Sequence, residues 1–85
     1  MNITKSSTAG TMQSSDVVVR VEPAERLDIQ IDSTVKKQFE HLIRERIEAV
    51  LARHGVTRAL VKVSDRGALD YAIEARVETA LRRAE

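Results

Sequence analysis

The stretch VVVRVEPAERLDIQI, residues 17–31, decides the fold class of this chain. Its first six residues have a valine at every second position, and Leu or Ile alternates with polar side chains from Leu27 to Ile31. Successive side chains of a strand point to opposite faces, so each alternation predicts a strand with one apolar face. The four residues between them, 23–26, include a proline and predict a turn. The stretch therefore predicts a β-hairpin.

The sequence that follows changes to a helical period. Apolar residues at spacings of three and four form one stripe of a long helix: Val35, Phe39, Leu42, Ile43, Ile47, Val50 and Leu51. Asp32 or Ser33 is the expected N-cap of this helix, and Gly55 is expected just beyond its C-terminal end. A third alternation over 59–64 predicts another strand, and a second apolar stripe predicts a helix over about 69–83.

The residues before the hairpin are rich in Ser and Thr, which is typical of a flexible leader. Within them, 8–12 is a candidate strand, and 13–16 is a polar turn. We expect 1–15 to be a flexible N-terminal segment. We expect 16–85 to form a single domain, because a chain of 85 residues is too short for two.

These elements predict an α+β protein, a two-layer α/β sandwich with the order β-β-α-β-α and the candidate N-terminal strand in addition. The sheet is expected to be small and largely antiparallel, with both helices on one face. The strand at 17–21 is expected at its centre, antiparallel to the strands at 27–31 and 59–63. The expected core residues are Val17, Val19, Val21, Ile29, Ile31, Phe39, Ile43, Ile47, Val50, Val61, Val63, Ile73 and Val77. A solvent-exposed Phe39, or two helices on opposite faces of the sheet, would overturn this architecture, and Phe39→Ala is expected to cost about 3–5 kcal/mol if the ring is fully buried.

The composition argues against several function classes. Lys and Arg total 14 and Asp and Glu total 13, with the signs interspersed, so the chain has no basic excess for a nucleic-acid backbone. Phe39 and Tyr71 are the only aromatic residues, too few for a base-stacking surface. Without cysteine there are no disulfides, no thiolate catalysis and no Cys-based zinc site. Since no stretch approaches membrane-spanning length, we expect a cytoplasmic protein with no nucleic-acid or membrane partner.

No set of residues has the pattern of a catalytic or metal site. His41 and His54 lie on the same predicted helix, too far apart for one ligand face, and ordinary surface histidines explain them. Ser14 and Ser15 are adjacent hydroxyls in a turn, where serine is common without any function. A serine with no base nearby is not a nucleophile by itself, but an exposed one can accept a group that another enzyme installs.

Several short segments carry a family resemblance. The first, AGTMQSSD at residues 9–16, matches the pattern Ala-Gly-Thr-apolar-x-Ser-Gly-Asp except at Ser15, where that pattern usually has Gly. The other matching segments are 18–21, 28–31, 33–39, 50–53, 63–70 and 75–78. Together, in register over nearly the whole chain, they resemble the acyl carrier, or gamma, subunit of citrate lyase.

The resemblance implies a covalent prosthetic group. In that family the serine that corresponds to Ser14 carries 2'-(5''-phosphoribosyl)-3'-dephospho-CoA through a phosphodiester. Ser15 is the second choice here, because only Ser14 keeps the register with Asp16. The thiol of the prosthetic group would carry acetyl and citryl thioesters, and the carrier itself would catalyse no step.

The resemblance also implies partners. These are the citrate lyase alpha (acyltransferase) and beta (acyl lyase) subunits, a prosthetic-group transferase and the acetate ligase of the complex. The complex would cleave citrate to acetate and oxaloacetate. Two alternatives stay open: the carrier subunit of citramalate lyase or malonate decarboxylase, which use a similar group, and a small RNA- or ribosome-binding domain.

Overall fold

The computed structural model describes all residues, 1–85, as four strands and two helices. In chain order they are β1 (Ser7–Gly10), β2 (Val17–Glu22), β3 (Leu27–Ser33), α1 (Glu40–Arg53), β4 (Ala59–Asp65) and α2 (Asp70–Ala84). A short 3₁₀ turn, Lys37–Phe39, precedes α1. The candidate N-terminal strand is therefore present as β1, and the predicted order of the other elements is confirmed.

The four strands form one mixed sheet with the spatial order β1-β2-β4-β3. Strand β2 is antiparallel to both of its neighbours, β1 and β4, whereas β3 is parallel to β4. Parallel neighbours need a crossover connection, and α1 provides it between β3 and β4. The sheet is thus largely antiparallel, as predicted, with a β-α-β unit at one edge.

The predicted hairpin of β2 and β3 is wrong. Strand β4 lies between them, so that Val61 is opposite Val21 on one side and Ile29 on the other. Strand β2 is central, but its second neighbour is β1 rather than β3. Two strands on either side of a third lie about 9–10 Å apart, and four linking residues can span roughly 13 Å. The short link at 23–26 therefore permits either arrangement.

One face of the sheet is buried beneath both helices. Helix α2 packs on β1 and β2, α1 packs on β3, and the two helices contact each other. The largest fully buried side chains of this single core are Ile47, Leu51, Ile73, Leu81, Val17, Val19, Val21, Val50, Val61, Val63 and Val77. The predicted two-layer arrangement is confirmed. Among the predicted core residues, only Ile31 and Phe39 are not buried, and Ile31 is half-buried against the core.

The start of α1 differs from the prediction. Strand β3 continues through Ser33, so the helix begins at Glu40, and neither Asp32 nor Ser33 is its N-cap. Phe39 falls in the preceding 3₁₀ turn and is 46% exposed. The expectation that an exposed Phe39 would overturn the architecture is wrong, because Ile43 and Ile47 fill the space beneath α1. The cost of 3–5 kcal/mol expected for Phe39→Ala required full burial and no longer applies. Gly55 follows the helix with a φ of +65°, as predicted.

At Gly10, the last residue of β1, the backbone lies very close to the start of β2. Its φ is +96°, and an added Cβ would overlap the carbonyl oxygen of Val17. Gly67 has a similar φ of +90° but open space around it. We expect Gly67→Ala to lose about 1–2 kcal/mol of unfolding free energy from φ alone, and Gly10→Ala to lose clearly more, because the backbone must also move. Urea denaturation of the two variants measures the difference. Equal losses would show that β1 can shift away from β2 at no cost.

Candidate functional site

The serine pair lies at one end of the sheet, where three chain segments meet. Here β2 begins at Val17, and β3 and β4 end at Ser33 and Asp65, with Asp65 paired in register to both of the other residues. The segment 11–16, called the Ser14 turn below, therefore adjoins the loops that follow β3 and β4. These two loops belong to the segments 33–39 and 63–70, which both carry the family resemblance. Segments that are separate in the sequence therefore lie together at this end of the sheet.

Residues 13–16 form a tight turn, as the sequence predicts. The amide of Asp16 donates a hydrogen bond of 3.1 Å to the carbonyl of Gln13, which makes Ser14 and Ser15 the two central residues. Ser15 has a φ of +63° and is the only residue other than glycine with a positive φ. A positive φ at the second central position is the requirement of a type II turn, which favours Gly there. Position 15 is therefore strained by its side chain.

Asp16 holds the turn through its carboxylate. The hydroxyl of Thr11 and the amide of Val17 donate hydrogen bonds to it, the latter at 2.7 Å. The guanidinium of Arg76, on α2, approaches the same carboxylate at 3.3 and 3.4 Å. The Thr11 hydroxyl above all, together with the Val17 amide and Arg76, lowers the pKa of Asp16 from 3.8 to about 2. Asp16 is therefore an anchor for the turn and a poor general base.

The turn is also tied to the end of β4 by the backbone. The amide of Ser15 donates to the carbonyl of Arg66 at 2.8 Å, and the amide of Arg66 donates to the carbonyl of Asp16 at 2.9 Å. The preceding residue, Asp65, is the one buried charged side chain. It accepts hydrogen bonds from the Ser33 hydroxyl at 2.8 Å and the Ala68 amide at 2.9 Å. Two carboxylates thus fix the loops on either side of the serine pair.

Ser14 itself is exposed, and its hydroxyl makes no hydrogen bond to another group of the chain. The predicted accessibility of Ser14 agrees with this geometry, whereas its modification stays a prediction. The predicted mobility of 1–15 also stays a prediction. Part of that segment is β1, and the amides of Thr4 and Lys5 donate to the carbonyl of Ala84, which ties the start of the chain to the end of α2.

The two histidines lie at opposite ends of α1. His54 follows the helix and faces Glu78 at 3.8 Å, and His41 lies in its first turn. No group of three His, Asp or Glu residues could hold a metal ion. No helix combines the length and apolar character that crossing a membrane requires.

The roles of Arg76 and Asp65 do not follow from the sequence pattern. Arg76 is 60 residues from Asp16 along the chain, and its contact depends on α2 crossing β2. Asp65 continues the alternation of β4 onto the buried face, where a carboxylate is unexpected. Only the family resemblance points to these positions: Asp65 lies in its segment 63–70 and Arg76 in its segment 75–78.

Comparison with known proteins identifies the family. Over 84 residues, covering 99% of this chain and 88% of the relative, the chain is 54% identical to a citrate lyase acyl carrier protein of Haemophilus influenzae strain PittEE. It is 42% identical to the corresponding protein of Halothermothrix orenii over 85 residues, 99% of this chain and 90% of that one. The chain belongs to the citrate lyase acyl carrier protein family. The carrier family model described as "Malonate decarboxylase delta subunit (MdcD)" matches residues 4–84.

The fold has a counterpart in a solved structure. The chain superposes with a TM-score of 0.76 on a chain of the crystal structure of a Pseudomonas malonate decarboxylase hetero-tetramer in complex with malonate. The match covers 98% of this chain and 87% of that chain at 22% sequence identity. This chain therefore shares its fold with that chain of the decarboxylase.

The strained turn gives a prediction about Ser15. Replacement by Gly removes the side-chain strain of the positive φ but adds chain entropy to the unfolded state. We expect Ser15→Gly to raise the unfolding free energy by up to about 1 kcal/mol. Ser14→Gly, in the same turn without a positive φ, is the matched control and should lower it. Denaturant unfolding measures both, and equal losses in the two variants would argue against strain at position 15.

Asp16 gives a prediction about pH. Because its pKa is lowered in the folded state, its contribution to stability is present above about pH 4 and is lost as the pH falls towards 2. We expect Asp16→Asn to be less stable than the wild type at pH 7, and the gap to shrink between pH 4 and 2. Glu25→Gln, at an exposed carboxylate, is the control and should show no such gap. Unfolding free energies measured from pH 7 to 2 test this, and a constant Asp16→Asn gap would contradict it.

Proposed function

We propose that this chain is the acyl carrier subunit of citrate lyase and that the Oγ of Ser14 carries 2'-(5''-phosphoribosyl)-3'-dephospho-CoA. The observation that supports this best is an exposed, unbonded hydroxyl at the first central position of an anchored turn. Attachment by another enzyme needs an accessible oxygen held at a defined position, and Ser14 meets both conditions. Ser15 is exposed too, but its amide is tied to Arg66 and its φ is strained.

The residues around Ser14 fit such a group. The hydroxyl is free to form a phosphodiester without breaking a hydrogen bond, and the surface beside it is open. The backbone of Arg66 pairs with Ser15 and Asp16, whereas its guanidinium donates to the carboxylate of Asp32 at 3.4 Å and to the carbonyl of Asp65 at 3.2 Å. The group supplies a thiol on which acyl groups are held as thioesters.

The chain must rely on its transferase for acid–base chemistry in the loading step. An Oγ–P bond forms as the leaving group departs from the precursor's phosphorus, and the hydroxyl proton has to pass to a base. Asp16, two residues away, cannot serve, because its pKa is about 2 and its oxygens are already hydrogen-bonded. The base therefore belongs to the transferase.

The carrier role places the cleavage chemistry on other subunits. We propose that an alpha subunit transfers the acyl group, that a beta subunit cleaves it, and that an acetate ligase acetylates the thiol, all in the cytoplasm. What the carrier contributes is a stable core, an attachment point and a surface on which these partners act.

Malonate decarboxylase is the second candidate complex, because both the family model and the superposed structure carry that name. Sequence identity favours citrate lyase: 54% to a citrate lyase carrier against 22% to the decarboxylase component. The partner subunits choose the substrate. Assaying the assembled complex with citrate, citramalate and malonate therefore distinguishes the three candidate complexes.

Loading of Ser14 can be measured by intact-protein mass spectrometry. Incubated with the prosthetic-group transferase and its precursor, the wild-type chain should gain one group and Ser14→Ala none. Ser15→Ala should still be loaded, since neighbouring side chains point in different directions and the transferase positions a single hydroxyl. Ser14→Thr keeps a hydroxyl at the position and tests whether a secondary alcohol is accepted.

The outcomes separate three cases. Loading of Ser14→Ala but not of Ser15→Ala would move the attachment site to Ser15. Loading of both variants at the wild-type rate would overturn the proposed carrier site. Thermal unfolding of each variant shows whether a missing product reflects chemistry or folding.

A further inference from the structure

The Ser14 turn is shaped by hydrogen bonds within its own segment. The hydroxyl of Thr11 accepts a bond of 3.3 Å from the amide of Gln13 and donates one to the carboxylate of Asp16. The amide of Asp16 donates to the carbonyl of Gln13 at 3.1 Å. These bonds join residues at most five positions apart, so they fix the internal shape of the turn but not its place on the molecule.

Two hydrogen-bonded contacts connect this turn to distant parts of the chain. The backbone of Arg66, just after β4, exchanges hydrogen bonds with Ser15 and Asp16, and β4 lies beside β2 in the sheet. The guanidinium of Arg76 bonds to Asp16 from α2, which belongs to the layer that covers the sheet. The first contact lies within the sheet and the second comes from the helix layer. Together they restrain the turn in two different directions.

Arg76 differs from the other charged residues of α2 in what it reaches. Every other ion pair of this helix is formed with α1 or within α2, through Asp70, Glu74 and Glu78. Arg76 lies two residues beyond Glu74 and so about 200° around the helix from that acidic side. Its Nε lies 3.4 Å from one carboxylate oxygen of Asp16 and its Nη2 lies 3.3 Å from the other. A guanidinium that contacts both oxygens of a carboxylate fixes orientation as well as distance.

The contact between Arg76 and Asp16 contributes little to stability. The Arg76 side chain is 42% exposed, and exposed ion pairs have small effects on the free energy of unfolding. The hydroxyl of Ser14, however, has no bond of its own, so the backbone of the turn determines where it lies. A shift of about 1 Å at a reacting atom can reduce a rate about a hundredfold. The contact therefore matters more for a reaction at Ser14 than for the fold.

We propose that Arg76 is a positioning residue for the loading of Ser14. Acting through Asp16, its guanidinium holds the turn against α2, so that the transferase meets the Ser14 hydroxyl in one place. This inference rests on the proposed function, because it names the residue that presents the hydroxyl for attachment. Arg76 takes no part in the bond changes, since a guanidinium keeps its proton at neutral pH and two of its N–H groups are engaged with Asp16.

The kinetics of loading test this role. Arg76→Gln removes the guanidinium, and Arg82→Gln is the matched control, because Arg82 pairs with Glu78 of its own helix at 2.6 Å. With the purified transferase and its precursor, Arg76→Gln should lower the kcat of loading about tenfold, because the hydroxyl is misplaced. Its KM for the carrier should stay within about twofold, because the remaining surface is unchanged. Arg82→Gln should match the wild type in both constants, and Arg76→Lys, which keeps a charge without the fork, should fall between the two.

A double variant tests the route through Asp16. Asp16→Asn alone should also slow loading, and adding Arg76→Gln should change the rate by no more than about twofold, because both act through one contact. A combined loss equal to the product of the single losses would overturn the proposal. A raised KM with an unchanged kcat would also overturn it, because Arg76 would then be a contact of the transferase. Assays are run where thermal unfolding shows each variant to be folded. If Arg76→Gln does not fold, Arg76→Lys takes its place, and an unchanged kcat of that variant overturns the proposal.

The failures of this inference and of the proposed function are distinguishable. Nitrogen-15 relaxation of the unloaded chain reports the order of the amides of Ser14 and Ser15. Arg76→Gln should lower that order relative to the wild type, and Arg82→Gln should not. Unchanged order or an unchanged kcat in Arg76→Gln would overturn the positioning role, even with Ser14 as the attachment site. Loading of Ser14→Ala would overturn the proposed carrier site and would leave the relaxation result as it is.

Discussion

The placement of β4 between β2 and β3 is the constraint on which the rest of the structure depends. Pairing on both edges aligns Val17, Ser33 and Asp65 at one end of the sheet. Because β4 is parallel to β3, α1 must cross over the sheet, and both helices then begin at that same end. A hairpin of β2 and β3 would also have brought the end of β3 beside the start of β2, but Asp65 could not then have paired with both Val17 and Ser33.

Carboxylates then turn this alignment into a defined site. Asp65 is buried, and its carboxylate oxygens accept hydrogen bonds from Ser33 and Ala68. These bonds offset the cost of burying a polar group. Asp16 binds Thr11 and Arg76, which ties the turn before β2 to α2. A carboxylate whose oxygens are both hydrogen-bonded fixes the local geometry, because removing one partner leaves the other unpaired. The serine pair thus sits between two anchors.

Sequence periodicity could predict the elements and their buried faces but not their neighbours. An alternation such as Val17 to Val21 defines which side chains face the core, and any strand with the same pattern can lie beside it. The helix stripe counted from Val35 was regular, yet β3 extends to Ser33 and leaves Phe39 in a turn. At the site, the turn at 13–16 could be predicted from its polar residues. The choice of Ser14 came from resemblance alone, and the distant contact of Arg76 had no local signal.

The anchored turn also explains how a carrier can work with little motion of its own. The group proposed for Ser14 would supply reach through its own length, without unfolding any part of the protein. A protein surface that is already ordered loses less conformational entropy when a partner binds it. The hydrogen bonds that bracket the Ser14 turn, from Gln13 to Asp16 and from Ser15 to Arg66, supply that order. Ser15 shows how firmly this conformation is held, because the backbone keeps a positive φ there even though the side chain opposes it.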